Sequence, residues 1–535
     1  MRKISLLLFL AFIMTLALLI PVSVIRAQDP RPTDPEPPAP KGVEIEPGYF
    51  MTAAVTGLDF PTGIAIGNNG TLYIGESGLV GPAQILEADL RGNTTVIFSS
   101  DQLSSAEFTP PLLDVTYHNG WLWVTHRRPG ANGWPVGAVS KFNPDDVYGT
   151  WTSVLTNLPS TGDHMTNEIV FGPDGRAYFG QGTATNSSVV GPDNQLITAW
   201  LADFPEFHDF VPVQLVLDGD EFVTFNPLTS DPNDQAVTPP YHPFNYGEIP
   251  SGSVVEAATQ ASPENGMIAG NGAIYSFDPA DPGNTLRLES WGERNPFGVG
   301  IDPFNPSLLF VSNNGADIRS ADIDGDGVVE SIGARPIGQD YDDMFIVNTG
   351  GDVEFYGWPD YFHNPDTGAV VPVTDPFFCQ SPGEPTIQTC PDFVLAEDFR
   401  AGLNPLPAFA QFELHSSANK FDFSTDKKFK HVGDIFVAET GSIVPITGAD
   451  RFVGYKVVRV DHNTGEVHDF IVNTGSTADE IFNPDSFNKP IDVKFQEQLM
   501  LVVDFGIWEP ALGLFQPSTG KIWIVSHGLS GVEQR

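Results

Sequence analysis

The chain has 535 residues, and its 26 lysines and arginines stand against 68 aspartates and glutamates, a formal net charge of −42. Phosphate binding needs clustered basic side chains, so this balance excludes nucleic acid as a partner and leaves a solvated acidic surface as the plain reading. The body of about 490 residues also exceeds the usual size of one hydrophobic core, which favours a fold assembled from repeated units.

Arg2 and Lys3 open the chain, and residues 4–25 carry no charge before small residues near Ala27. This reads as an export signal over 1–27, which places the protein in the periplasm or outside the cell; the same apolar length would also serve as an uncleaved membrane anchor. Residues 28–47 are proline-rich and read as a stiff linker, with the folded domain expected over 48–530.

Six stretches then share one grammar: 61–76, 112–126, 164–182, 294–315, 417–441 and 490–506. Each is an alternating apolar run, a tight turn of Gly, Asn or Asp, and a second apolar run, the pattern of an antiparallel hairpin. Related hairpins at wide spacing predict an all-β radial array, a β-propeller. In such a blade the start of the first strand and the end of the second lie on one face. One rim then collects Pro61, Pro111, His164, Arg294, Asn295, Ser417 and Lys489 with Glu76, His126, Thr183, Asn314, Gly315, Glu439 and Asp504. Two spacings are too long for one blade. Residues about 185–270 and 360–410 therefore read as insertions, the first between a blade's second and third strands, the second between the fourth blade and the fifth. Residues 345–350 and 356–359 read as outer strands of the fourth blade. Both insertions would emerge on the collected rim, where long loops build or cap pockets.

Several residues along this path carry chemistry. His164 follows Asp163 at a strand start, where an imidazole can act as a general base, although a lone histidine is more often a surface or core residue. Arg294 and Asn295, held between Gly292 and Pro296, can clamp a planar anionic ligand or simply brace the loop. Asp322, Asp324, Asp326 and Glu330 alternate around Gly325 and Gly327. That spacing suits calcium, although Gly333 replaces the usual final Glu; the alternative is a polar Asp–Gly turn. Cys379 and Cys390, close together in an exported chain, read as a disulfide stapling a loop.

The string Gly292-Glu-Arg-Asn-Pro-Phe-Gly298, followed by Asp342-Asp-Met-Phe-Ile-Val-Asn-Thr-Gly-Gly351 and Tyr356-Gly-Trp-Pro359, resembles the glucose/sorbosone dehydrogenase family. The segment from His164 to Gly175, Val453 to Val460 and Lys489-Pro-Ile agree in order along the chain. The resemblance implies a six-bladed propeller binding pyrroloquinoline quinone (PQQ) and calcium on its rim, and oxidation of a sugar or related polyol by hydride transfer to the quinone. It implies His164 as base, Arg294 as catalytic and quinone contact, and Asn295, Lys489 and Arg451 as further cofactor contacts. The backbone carbonyls of Gly315 and Ala316 would hold the cofactor's calcium. The sequence departs from the family's pattern at Glu293, where a His is usual, at Thr183, where an acidic residue is usual, and at Lys489, where an Arg is usual. Two other readings stand beside it. One is a non-catalytic extracellular propeller binding carbohydrate or protein. The other is a calcium-dependent lactonase-type hydrolase using Glu76, Glu439 and Asp504.

Overall fold

The computed structural model describes residues 40–323, 325–378, 390–447 and 451–528. The export signal over 1–27, Asp324 and Cys379 lie outside the described residues, and with Cys379 the expected pairing to Cys390. No helix among the described residues is long and apolar enough to cross a membrane.

The apolar runs form the hairpins they predict, but burial does not alternate: every residue of Leu72–Glu76 and five of the six in Pro61–Ile66 are buried, because a blade is covered by a neighbour on each face. In the first hairpin Pro61–Ile66 pairs antiparallel with Leu72–Glu76, and Ile64 and Ile74 face each other with no exposure. Five more sheets begin with the hairpin strands Thr109–His118, Thr166–Phe171, Asn295–Ile301, Ala418–Phe423 and Pro490–Gln496. Each of these strands is innermost in its sheet and touches the innermost strand of the next, and the sixth touches the first. The result is a six-bladed β-propeller.

The ring closes through the beginning of the chain. Tyr49–Leu58 is the outer strand of the sixth blade, paired with Gly520–His527. Val43–Ile45 adds a fifth strand to the fifth blade, so ordered structure starts inside the stretch read as linker.

The first insertion leaves the third blade between Ala177–Gln181 and Ala273–Phe277, its second and third strands. The second takes a different route from the one expected. Residues 356–359 are not an outer strand of the fourth blade. Instead Glu354–Phe355 runs parallel along the third blade's Arg287–Trp291, and the fourth blade's outer strand is the short Ala410–Gln411. The chain therefore climbs back along the third blade's edge, where Phe355 stacks 4.1 Å from Trp291 and the Trp358 N–H donates to the Gly292 carbonyl at 2.8 Å. Gly292 and Gly357 permit this close approach with φ of 86° and 115°, values unfavourable for other residues. The 360–410 insertion is thus internal to the fourth blade. It joins the first insertion through a Leu217–Leu395 bridge and the hydrogen bond from Ala396 N–H to the Val216 carbonyl at 2.8 Å.

The axis is packed by charge. Asp492 accepts the Ile64 N–H, Asp114 that of Ile169, Glu168 that of Val299 and Asp422 that of Phe495. In each case a carboxylate of one blade takes a backbone donor of the next. Lys420 sits 2.6 Å from Asp114 and Lys494 2.6 Å from Glu168, compensating this buried negative charge. A Cβ added at Gly63 would meet Asp114 and Lys420 at 3.0 Å, so the axis has little spare room at this level. Replacing Lys420 by Ala leaves Asp114 without its cation; the expected loss is about 3–5 kcal/mol, read by urea unfolding followed through tryptophan fluorescence.

Candidate functional site

His164 enters the third blade just ahead of Thr166–Phe171. Its ring Nδ1 lies 2.8 Å from the Thr183 carbonyl oxygen and 3.3 Å from the Thr183 hydroxyl. A carbonyl can only accept, so Nδ1 carries the hydrogen and Nε2 the lone pair. Burial, reinforced by Arg294 and Arg319, lowers the pKa well below 6.5, so the ring is neutral at ordinary pH. Thr183, standing where the resembling family has an acid, thus orients the ring through its main chain.

Arg294 lies on the neighbouring strand mouth and is almost wholly buried. Its Nε donates to the Asn186 carbonyl at 3.1 Å, and Nη2 to the Asn186 Oδ1 at 2.8 Å and Asp317 Oδ2 at 3.4 Å. Nη1 donates to the carbonyls of Gly315 at 2.6 Å and Asn314 at 3.3 Å. A guanidinium has five N–H donors, and all five are used. Asn186 comes from the first insertion. Its amide grips the Asp317 backbone from both sides, donating to the carbonyl at 2.6 Å and accepting the N–H at 2.9 Å. Asn295 belongs to an amide chain across the mouth: Asn167 donates to its Oδ1 at 2.9 Å, its Nδ2 donates to Asn314 at 2.9 Å, and Asn314 donates to the Ala418 carbonyl at 2.7 Å.

The other expected contacts lie apart from this pair. Lys489 is buried 3.3 Å from Glu509, with the rings of Tyr455 and Phe482 at 4.9 and 5.7 Å. Arg451 pairs with Glu413 at 2.5 Å on a side chain that is 69% exposed. The Gly315 N–H donates to Asp342 and the Ala316 N–H to Asp340. In the acidic loop, Asp322 accepts the N–H groups of Gly325 and Gly327, Asp326 that of Val328, and Glu330 that of Ile323. Glu76 accepts the Asp59 N–H, whereas Asp504 accepts those of Asn488, Lys489 and Gly506. Glu439 lies 3.7 Å from Lys456, and burial pushes its carboxyl up to about 8. Among the described residues no group of three or more His, Cys, Asp or Glu is placed to hold a metal ion, so these three acids do not share one.

Four residues of the mouth carry no sequence signal. Asn186 and Asp317 are two of them, joined through the Asp317 backbone. His415 Nδ1 lies 3.2 Å from Asp317 Oδ1, and Arg319 bridges Asp163 at 3.2 Å and Asp317 at 3.7 Å. Burial alone would raise the Asp317 pKa; the His415 hydrogen bond and the two arginines outweigh it and hold the carboxyl at about 2. These residues sit in loops, where neither periodicity nor a spaced motif marks them.

The cations that the resemblance assigns to PQQ are engaged elsewhere in this arrangement and do not fit it. A tricarboxylate needs free cations, and Arg294 is spent on the protein, Lys489 is paired inside a blade and Arg451 is paired at the surface. The Gly315 carbonyl, which the resemblance assigns to calcium, accepts from Arg294 through one of its two lone pairs.

No protein-family model and no curated protein sequence matches the chain. Solved structures do. The iodide structure of a Trichoderma reesei carbohydrate-active enzyme of family AA12 shares 15% identity over 93% of this chain and all of that one, with a TM-score of 0.51. The holo PQQ domain of a pyranose dehydrogenase from Coprinopsis cinerea shares 14% identity over 92% of this chain and 99% of that one, with a TM-score of 0.50. The likeness is one of fold: the propeller is built as in PQQ-type sugar dehydrogenases.

Glu293 supplies a pH test of the mouth. It is fully buried, accepts from the Ser290 hydroxyl at Oε1 and has no partner at Oε2 among the described residues. Burial raises its carboxyl from 4.5 to about 8. Between those values the folded chain holds a proton that the unfolded chain has lost, so this group's contribution to stability falls as pH rises from about 4.5 to 8. Glu293→Gln is expected to flatten the pH dependence of stability over that window and to unfold at higher temperature than the parent at pH 8, as read by calorimetry.

Proposed function

We propose that the chain is a propeller that binds a neutral sugar or related polyol at the rim mouth and does so without a quinone cofactor. The observation that carries this is Arg294, whose five donors end on Asn186, Asn314, Gly315 and Asp317. A shared architecture with sugar-directed enzymes supports the ligand class, by analogy of fold. The mouth supports it chemically, since guanidinium donors alternate with carboxylate and imidazole acceptors and a hydroxyl satisfies both kinds. The uncharged, apolar stretch over 4–25 supports binding outside the cytoplasm. Calcium enters only through the spacing of the 322–330 loop.

A second reading, an exported PQQ- and calcium-dependent dehydrogenase of a sugar or polyol, is favoured by His164. Its tautomer is fixed by Thr183 and its Nε2 holds the lone pair a base needs to take a hydroxyl proton. The two separate in one experiment. Full-length protein is mixed with PQQ and calcium, passed through gel filtration, and assayed for dye reduction with a sugar panel. The expected result is no retained quinone absorbance and no sugar-dependent reduction, alongside binding of a neutral sugar by ligand-observed NMR. Stoichiometric PQQ retention with sugar-dependent turnover would replace the first reading with the second.

A further inference from the structure

Buried polar atoms nearly always find partners, so a concentration of orphans in one place is informative. Among the described residues, the loops over the mouth include four. His415 has a side chain only 4% exposed; Nδ1 is engaged by Asp317, and Nε2 is buried with no partner. Arg319 Nε is also buried and without a hydrogen bond, 3.7 Å from Asp317 Oδ2. Asp163 Oδ2 lies 3.2 Å from the same guanidinium without forming a hydrogen bond, and Asp193 Oδ1 is buried beside them without one. The four side chains come from different parts of the chain: the entry to the third blade, the first insertion, the fourth blade's long loop and the link to the fifth. Asp317 joins two of them, through its separate oxygens.

The geometry points to a polar subsite in which His415 Nε2, Arg319 Nε, Asp163 and Asp193 receive adjacent hydroxyl groups of a neutral sugar or polyol, with Asp317 as the positioning residue behind His415 and Arg319. This rests on the reading of the mouth as a sugar site, and adds residues to it that no motif marks. The donor and acceptor pattern selects the ligand. Arg319 offers a hydrogen, Asp163 offers lone pairs, and the imidazole offers its lone pair once Nδ1–H is given to Asp317. A hydroxyl both donates and accepts, so neighbouring hydroxyls can satisfy the set, whereas an anion would meet the carboxylates and a cation the guanidiniums. Charge agrees. Arg294 and Arg319 face Asp163 and Asp317, and burial pushes Asp193 up to about 7, so the cluster is close to neutral without a charged guest. Leaving such groups dry is costly, and a hydroxylated ligand recovers that cost.

The backbone allows a clean test. His415 has φ of 66°, in the left-handed region where Asn is the best tolerated side chain other than Gly. His415→Asn keeps a donor near the Nδ1 position for Asp317 and removes the Nε2 side; His415→Gln keeps a polar atom near Nε2. Binding of a panel of neutral monosaccharides and polyols to the full-length protein is measured by titration calorimetry, with thermal unfolding as the fold control. The ¹⁵N shift of His415 Nε2 is followed on saturation with the best binder. The expected outcome is about tenfold weaker binding in His415→Asn at unchanged Tm, partial recovery in His415→Gln, and a shift of the Nε2 resonance. Parent-like binding by a folded His415→Asn, with an unmoved Nε2 resonance, overturns the subsite and leaves the sugar reading standing. Absence of any binding by the parent protein overturns both.

Discussion

A closed ring of sheets leaves each innermost strand with an edge that no further strand can pair. Those backbone donors face a narrow axis, and leaving them bare there is costly. The chain answers with side chains of the adjacent blade. Asp492, Asp114, Glu168 and Asp422 each accept a donor from the next blade. Thr62 and Ser312 hydroxyls complete the circuit by donating to the carbonyls of Leu112 and Asn419. Inner-strand register is thereby tied from blade to blade. His164, Arg294, Ser417 and Lys489 inherit that register, because each sits one or two residues ahead of an inner strand.

The same exchange between blades organises the mouth. Amides there play the part of the axial carboxylates, passing from Asn167 through Asn295 and Asn314 to Ala418. Arg294 then joins the propeller to its first insertion through Asn186. The Arg that could have clamped a ligand is the brace of its loop, the alternative its sequence context had left open. The chemistry of the mouth passes to groups set further out: a neutral His164 and the ion pairs around Asp317.

Legibility from sequence followed the physics of each element. The six inner hairpins were readable because apolar runs flank a tight Gly, Asn or Asp turn, although strands such as Leu72–Glu76 are buried on both faces rather than one. The first insertion was readable because the gap between hairpins exceeded a blade. Glu354–Phe355 was not, since two residues carry no period and parallel pairing to another blade leaves no local mark. The axial acids were also hidden, because a polar residue in an alternating run looks solvent-facing until the ring closes around it. At the mouth, His164 and Arg294 were singled out by position and motif. Asn186, Asp317, Arg319 and His415 come from loops whose conformation is set by long-range contacts.

The earliest strands belong to the last two blades. Tyr49–Leu58 finds its partner in Gly520–His527, and Val43–Ile45 finds its own in Val467–Asn473. A chain emerging from the amino end therefore carries two strands that must wait, unpaired, for almost everything else to be made. Closing so long a loop is slow, and the first four blades can be complete while the ring is still open. The clasp that makes the disc a disc is the last thing this protein can fasten.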